Sequence, residues 1–156
     1  NCEDTLNLIK SRGKINTIFV KEALQDGLDV DFSNLIINNI FINDAGNDCA
    51  DFSWGSYRII EAKVEKCTDK GFSVGEKSEA YIGKLDVSKT HIGISSKDGS
   101  VTNLDNAIIK STKICFEVKR KKQEFYGGTI NIKKHDCEIN NIYTEKGSFL
   151  NFKNVL

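Results

Sequence analysis

A column of small residues recurs every 22 positions along the chain: Thr5, Gly27, Cys49, Gly71, Gly93, Cys115 and Cys137. The residues that follow keep step with it. One place on stand Leu6, Leu28, Ala50, Phe72, Ile94 and Phe116; two on, Asn7, Asp29, Asp51, Ser73, Ser95 and Glu117; three on, Leu8, Val30, Phe52, Val74, Ser96 and Val118. Apolar, polar, apolar is the period of a strand with one buried face. A second apolar pair follows in each period: Ile18 and Val20, Ile40 and Ile42, Ala62 and Val64. It continues one residue late as Leu85 and Val87, then Ala107 and Ile109, and one late again as Ile130 and Ile132.

Strands this short bury their apolar face only by stacking on the next repeat, about 4.8 Å away. Parallel strands normally need helical crossovers, yet no segment carries a sustained 3.6-residue apolar period. The chain therefore reads as an all-β parallel solenoid of about seven coils, a single domain over residues 1–156. The absence of Pro agrees, since Pro removes a ladder donor.

Composition narrows the function classes. Lys+Arg and Asp+Glu both total 22, so no global field draws the chain to nucleic acid or to an anionic membrane. No run reaches the roughly 18 apolar residues of a membrane span. The chain has no Met and starts at Asn1, so it is expected to be a piece of a longer or processed protein. No capping helix is legible at either end. The open ends are expected to be covered by the rest of a parent chain or by end-to-end self-association.

Cys49, Cys115 and Cys137 fall in the small column and read as small buried hydrophobes filling a tight space. Cys115 and Cys137 would lie on adjacent coils and can approach, although a bridge there closes a loop that ladder bonds already hold. No Cys-x-x-Cys pair suggests zinc. Cys2 and Cys67 have no assigned place. His91 and His135 share a turn column with Glu3, Gln25, Asn47, Asp69 and Lys113.

The phrases Asp26-Gly27-Leu28-Asp29-Val30, Asp48-Cys49-Ala50-Asp51-Phe52 and Lys70-Gly71-Phe72-Ser73-Val74 resemble repeats of the right-handed parallel β-helix superfamily of pectate lyases, polygalacturonases and related surface or phage proteins. The resemblance covers nearly the whole chain as fold. It implies a right-handed, single-stranded β-helix, a polysaccharide or other glycan as partner, and an extracellular or cell-surface setting.

The register makes neighbours of Asp26, Asp48, Asp69, Lys70 and His91, the candidate catalytic cluster. It is similar to the polygalacturonase site, with its Asn-Thr-Asp-Gly, Asp-Asp-Cys and Gly-His-Gly coils. Here the matching segments are Leu24-Gln25-Asp26-Gly27, Asn47-Asp48-Cys49 and Asp69-Lys70-Gly71. Asn47 stands in place of one carboxylate and Lys70 in place of the histidine, and the family's Arg-Ile-Lys motif is missing. Inverting hydrolysis needs a protonated and an ionised carboxyl together. A lyase would instead use Asp29, Asp31 and Asp51 as calcium ligands and Lys70 as base; otherwise no cofactor or metal is expected.

For binding, Trp54 shares a coil-edge column with Phe32, Glu76, Asp98 and Arg120, where an aromatic can stack on a sugar ring. Lys119, Arg120, Lys121 and Lys122, with Lys97 one coil below, suggest a basic patch for an anionic glycan. The expectation is a non-catalytic β-helix module, a scaffold or a carbohydrate binder. The second reading is a polysaccharide hydrolase, lyase or epimerase.

Overall fold

The computed structural model describes residues 4–138 and 141–153; Asn1, Cys2 and Glu3 lie outside them. Fourteen strands follow one another: β1 (Leu6–Ile9), β2 (Arg12–Val20), β3 (Leu28–Asp31), β4 (Asn34–Ala45), β5 (Ala50–Ser53), β6 (Ser56–Cys67) and β7 (Lys70–Gly75), then β8 (Glu79–Ser88), β9 (Ile92–Lys97), β10 (Val101–Lys110), β11 (Ile114–Lys119), β12 (Thr129–Asp136), β13 (Ile142–Thr144) and β14 (Phe149–Phe152). Odd strands form one seven-stranded parallel sheet and even strands another, each strand pairing with the equivalents one coil before and after. The fold is a parallel β-solenoid of seven coils, each a short strand and a long one.

The inward residues of the short sheet are those the 22-residue step selects: Leu28, Ala50, Phe72, Ile94 and Phe116, with Val30, Phe52, Val74 and Val118, all buried. The rings of Phe52 and Phe72 stack at 5.0 Å across neighbouring coils. The long strands carry a feature that the spacing leaves unread. In β4, Leu35 and Ile37 point inward, then Asn38 and Asn39 both stay out, then Ile40 and Ile42 return to the core. Pairing skips one position there, Asn16 opposite Asn38 opposite Ile60, so every long strand from β2 to β10 turns a corner and covers two sides of the core. Asn38 Nδ2 donates to Asn16 Oδ1 at 2.9 Å, which holds corner groups of adjacent coils together.

Space explains the small column. A Cβ on Gly71 would strike Val87 and come within 2.8 Å of the Gly93 carbonyl oxygen in the next coil. Gly27 and Gly93 face the Cys49 and Cys115 carbonyls at 2.7 Å in the same way. Two cysteines of the column are bridged: Cys49 to Cys67 (Cα–Cα 5.4 Å) and Cys115 to Cys137 (6.4 Å). This corrects the expectation that the cysteines are unpaired hydrophobes. Each bridge joins the start of a coil's short strand to the end of the same coil's long strand.

The sixth coil is also corrected. Ile130 and Ile132 pair with Thr102 and Leu104, and it is His135 that lies beside Ala107. The column leads from Cys115 to Asn141, whose carbonyl accepts the Cys115 N–H at 2.6 Å, and not to Cys137. The cause is a loop, residues 120–128, where earlier coils turn within two or three residues. Cys137 falls 22 after Cys115 by coincidence of that insertion, and Asp136 and His135 belong to a strand, not to the turn column. Gly71→Ala is expected to destabilise the fold by about 2 kcal/mol through overpacking, read as a lower urea midpoint at unchanged slope.

Candidate functional site

The turns leading into the first four short strands hold the expected acidic cluster, and its carboxylates turn out to be wired along the solenoid axis. Asp4 Oδ1 accepts the Asp26 N–H at 3.3 Å, Asp26 Oδ1 the Asp48 N–H at 2.9 Å, and Asp48 Oδ1 the Lys70 N–H at 3.1 Å. Each aspartate thus caps the backbone of the next coil. Asn47 Nδ2 adds a bond to Asp26 Oδ1 at 2.8 Å. Lys70 ends the series, its ammonium 3.3 Å from Asp48 Oδ1 and bonded to Asp69.

Burial raises the Asp48 carboxyl to about 6 against the opposing pull of Lys70, and burial also raises Asp26. Burial would lower the Lys70 ammonium, but Asp48 and Asp69 outweigh it and hold it above its ordinary value. The structure therefore brings Asp26, Asp48, Asp69 and Lys70 together. His91 stands apart in its contacts: its exposed ring lines a groove with Lys89 and Lys113, and among the described residues no hydrogen bond ties it to the carboxylates.

The outer face of the short sheet carries a second cluster. Asp29, Asp31 and Asp51 crowd coils two and three. Burial, then repulsion from Asp31 and Asp51, raises Asp29 to about 7. Asn7 Nδ2 donates to Asp29 Oδ2 at 3.0 Å. Lys97 does not stand in a basic patch with residues 119–122. Its side chain is buried and crosses coil four, passing within 2.9 Å of where a Gly75 Cβ would sit, to donate to Ser73 Oγ at 2.9 Å and reach Asp51 Oδ2 at 3.6 Å. Small residues at 73 and 75 leave the channel in which it lies. Lys119 turns to Glu117 at 3.0 Å, and Glu117 accepts from Ser95 Oγ at 2.8 Å. Among the described residues no three His, Cys, Asp or Glu side chains are arranged to hold a metal ion. Asp29 accepts from Asn7, and Asp51 faces Lys97.

The third cluster lies on the opposite edge of the short sheet. Lys10, Phe32, Trp54, Glu76 and Asp98 occupy the same turn position in successive coils, all with positive φ between 31° and 55°. A bulky side chain there costs about 1–2 kcal/mol that Gly would not. Phe32 and Trp54 are nevertheless present and exposed, 52% and 39%, with rings stacked at 5.8 Å and 13°. The loop 120–128 folds back along this ridge. Asp98 Oδ1 accepts the N–H groups of Lys121 and Lys122 at 2.7 and 2.8 Å, and Lys122 Nζ meets Glu76 Oε1 at 2.5 Å. Phe125 then reaches Trp54 edge-on at 5.7 Å, with Lys77 Nζ 6.0 Å from the Trp54 ring and 5.8 Å from that of Phe125. Burial pushes the Glu76 carboxyl up, but its bonds from Lys122 and Ser53 prevail and hold it low. Arg120 opens the loop, its backbone N–H bonded to Glu145 at 2.6 Å.

Sequence spacing finds Trp54 and its column neighbours but not Phe125 or Lys77. The one signal for Phe125 is the lost register after Lys119. No family model, curated protein or solved structure matches the chain.

Two outcomes follow. Lys97→Met keeps the aliphatic stem but strands Asp51, whose Oδ1 already has no hydrogen-bond partner among the described residues; unfolding in urea should show a loss of about 3 kcal/mol. Asp29 and Asp48 hold protons in the folded state that the unfolded chain, with carboxyls near 3.8, has released. Their contribution is complete below the unfolded value and is lost as pH rises through about 6 to 7. The melting temperature should fall between pH 5 and pH 8, and Asp29→Asn should flatten much of that fall; a flat profile for the parent chain would contradict it.

Proposed function

We propose that this chain is a non-catalytic β-solenoid module that binds carbohydrate at the aromatic ridge. The observation that carries the reading is the exposed Phe32–Trp54 stack, kept at strained positive-φ positions and flanked by Phe125 and Lys77. Aromatic faces in a row stack on pyranose faces, and a polar tip or neighbouring cation orients the ring hydroxyls. The ridge runs along the solenoid axis, so an extended glycan lying on it meets successive coils. The wiring of Asp26 and Asp48 into backbone bonds supports a structural role for the acidic column.

The wider setting belongs to the same proposal. Two disulfides favour an oxidising compartment, hence an extracellular or surface protein. Exposed Phe149 and Phe152 on the seventh coil support a further coil or a second copy as the cover of that end. Kinship with the pectate lyase and polygalacturonase superfamily is part of this reading and rests on the repeat phrases and the solenoid.

A polysaccharide hydrolase, lyase or epimerase acting on an acidic glycan is the second reading. It is favoured by one observation, the buried Asp48 carboxyl raised to about 6 beside Lys70. A general acid needs such a value.

Glycan-array screening followed by calorimetric titration distinguishes the two. Trp54→Ala is expected to weaken glycan binding by about tenfold, the loss of roughly one stacked ring, with no fall in melting temperature. Unchanged affinity in that variant would overturn the ridge as the site. Depolymerisation of an acidic polysaccharide, abolished by Asp48→Asn, would establish the second reading instead.

A further inference from the structure

A second surface, on a different edge of the solenoid from the aromatic ridge, has its own chemistry. Where each long strand turns into the next short one, coils three to five leave a groove of about 450 Å³. Thr68, Lys89, His91, Ser111, Thr112 and Lys113 line it, and no carboxylate does. Lys66, Lys89 and Ser111 take the same positive-φ turn position, at 57°, 57° and 55°. This turn places the exposed Lys66, Lys89 and Ser111 side by side on successive coils. His91 and Lys113 repeat one coil apart two residues further on, the His91 carbonyl accepting the Lys113 N–H at 3.0 Å. Lys66, Lys89 and Lys113 therefore stand on successive coils, each about 4.8 Å from the next along the axis.

The neighbouring acids do not cancel this charge. Asp69, one coil before His91, and Asp48, two coils before it, are both spent on Lys70. Glu65 lies 3.7 Å from Lys89, but that lysine side chain is 59% exposed, and such loose surface pairs are worth little. Lys89 is free to turn to a better partner. Lysines beside hydroxyl donors, in a groove that no carboxylate lines, suit a group with several anionic oxygens.

We propose that this groove binds a sulfate or phosphate ester carried on a carbohydrate chain, with Lys89 and Lys113 as the paired cations and Thr68, Ser111 and Thr112 as hydroxyl donors. The ester's oxygens lie across the groove between coils four and five, and the glycan continues along the solenoid edge. The site is independent of Trp54, and each can fail without the other.

The test is calorimetric titration of the whole chain with a sulfated heparin oligosaccharide, a phosphorylated mannan oligosaccharide, an oligogalacturonate and a single-stranded oligonucleotide of matched charge. Binding of the sulfated or the phosphorylated probe is expected, and which of the two binds more tightly identifies the ester. Affinity should fall with added salt, and the Lys89→Ala/Lys113→Ala double variant should lose about tenfold or more. Ser111→Glu, which sets a negative charge in the groove, should abolish the salt-sensitive binding. All three sites are on the surface, so melting temperatures should match the parent chain. Failure of both ester probes to bind, undiminished affinity in the double variant, or equal or tighter binding of the oligogalacturonate or the oligonucleotide would overturn the proposal.

Discussion

Everything in this molecule rests on the parallel ladder between residues 22 or so apart. Because each coil hydrogen-bonds to the next in register, a side chain's nearest neighbours are the residues at its own position in the coils before and after. Like therefore sits on like. That is favourable for Ile37 on Ile59 or Asn38 on Asn16, and unfavourable for carboxylates. The acidic columns answer the problem in two ways. Asp4, Asp26 and Asp48 spend their oxygens on backbone N–H groups one coil on. Asp29, Asp31 and Asp51 have less of this relief, and Asp29 is driven toward the neutral acid. Lys97 resolves the remaining charge by spanning a whole coil to reach Asp51.

The first five coils are legible because the core face of the short strand and the tight turn beside it are set by local spacing alone. An inward Leu or Phe followed two places on by another is the signature, and Gly or Cys marks where the next coil's carbonyl comes too close. The corner of the long strands is less legible. Two adjacent outward residues break the alternation, so Leu35 and Ile37 do not join the series of Ile40 and Ile42. The sixth coil is hidden for a different reason: an insertion shifts the register, and Cys137 happens to restore a 22-residue interval. Periodicity has no means of telling an insertion from a continued column when the residue types agree.

The sites divide along the same line. Proximity of Asp26, Asp48, Asp69 and Lys70 follows from register and needs nothing more. What each oxygen is bonded to does not follow, because a side chain of that length reaches backbone and neighbour alike. Lys97 and Lys119 show the limit most clearly. Both sit on the outward column, yet one is buried along a channel opened by Ser73 and Gly75 and the other turns to Glu117. The loop that brings Phe125 to Trp54 lies outside the repeat altogether, and only its anchors on Asp98 and Glu76 are part of the column.

Both disulfides close a coil upon itself, since Cys49 and Cys67 bound the third coil and Cys115 and Cys137 the sixth. Neither ties one coil to another. Tension applied at the two ends would be borne by non-covalent bonds between coils, and the solenoid would peel coil by coil. The third and sixth coils would come away as closed rings that contribute almost no length. A chain drawn out in this way would stop short of its full contour at two fixed places, and on release each ring would offer a ready-made template on which the adjoining coils can wind again.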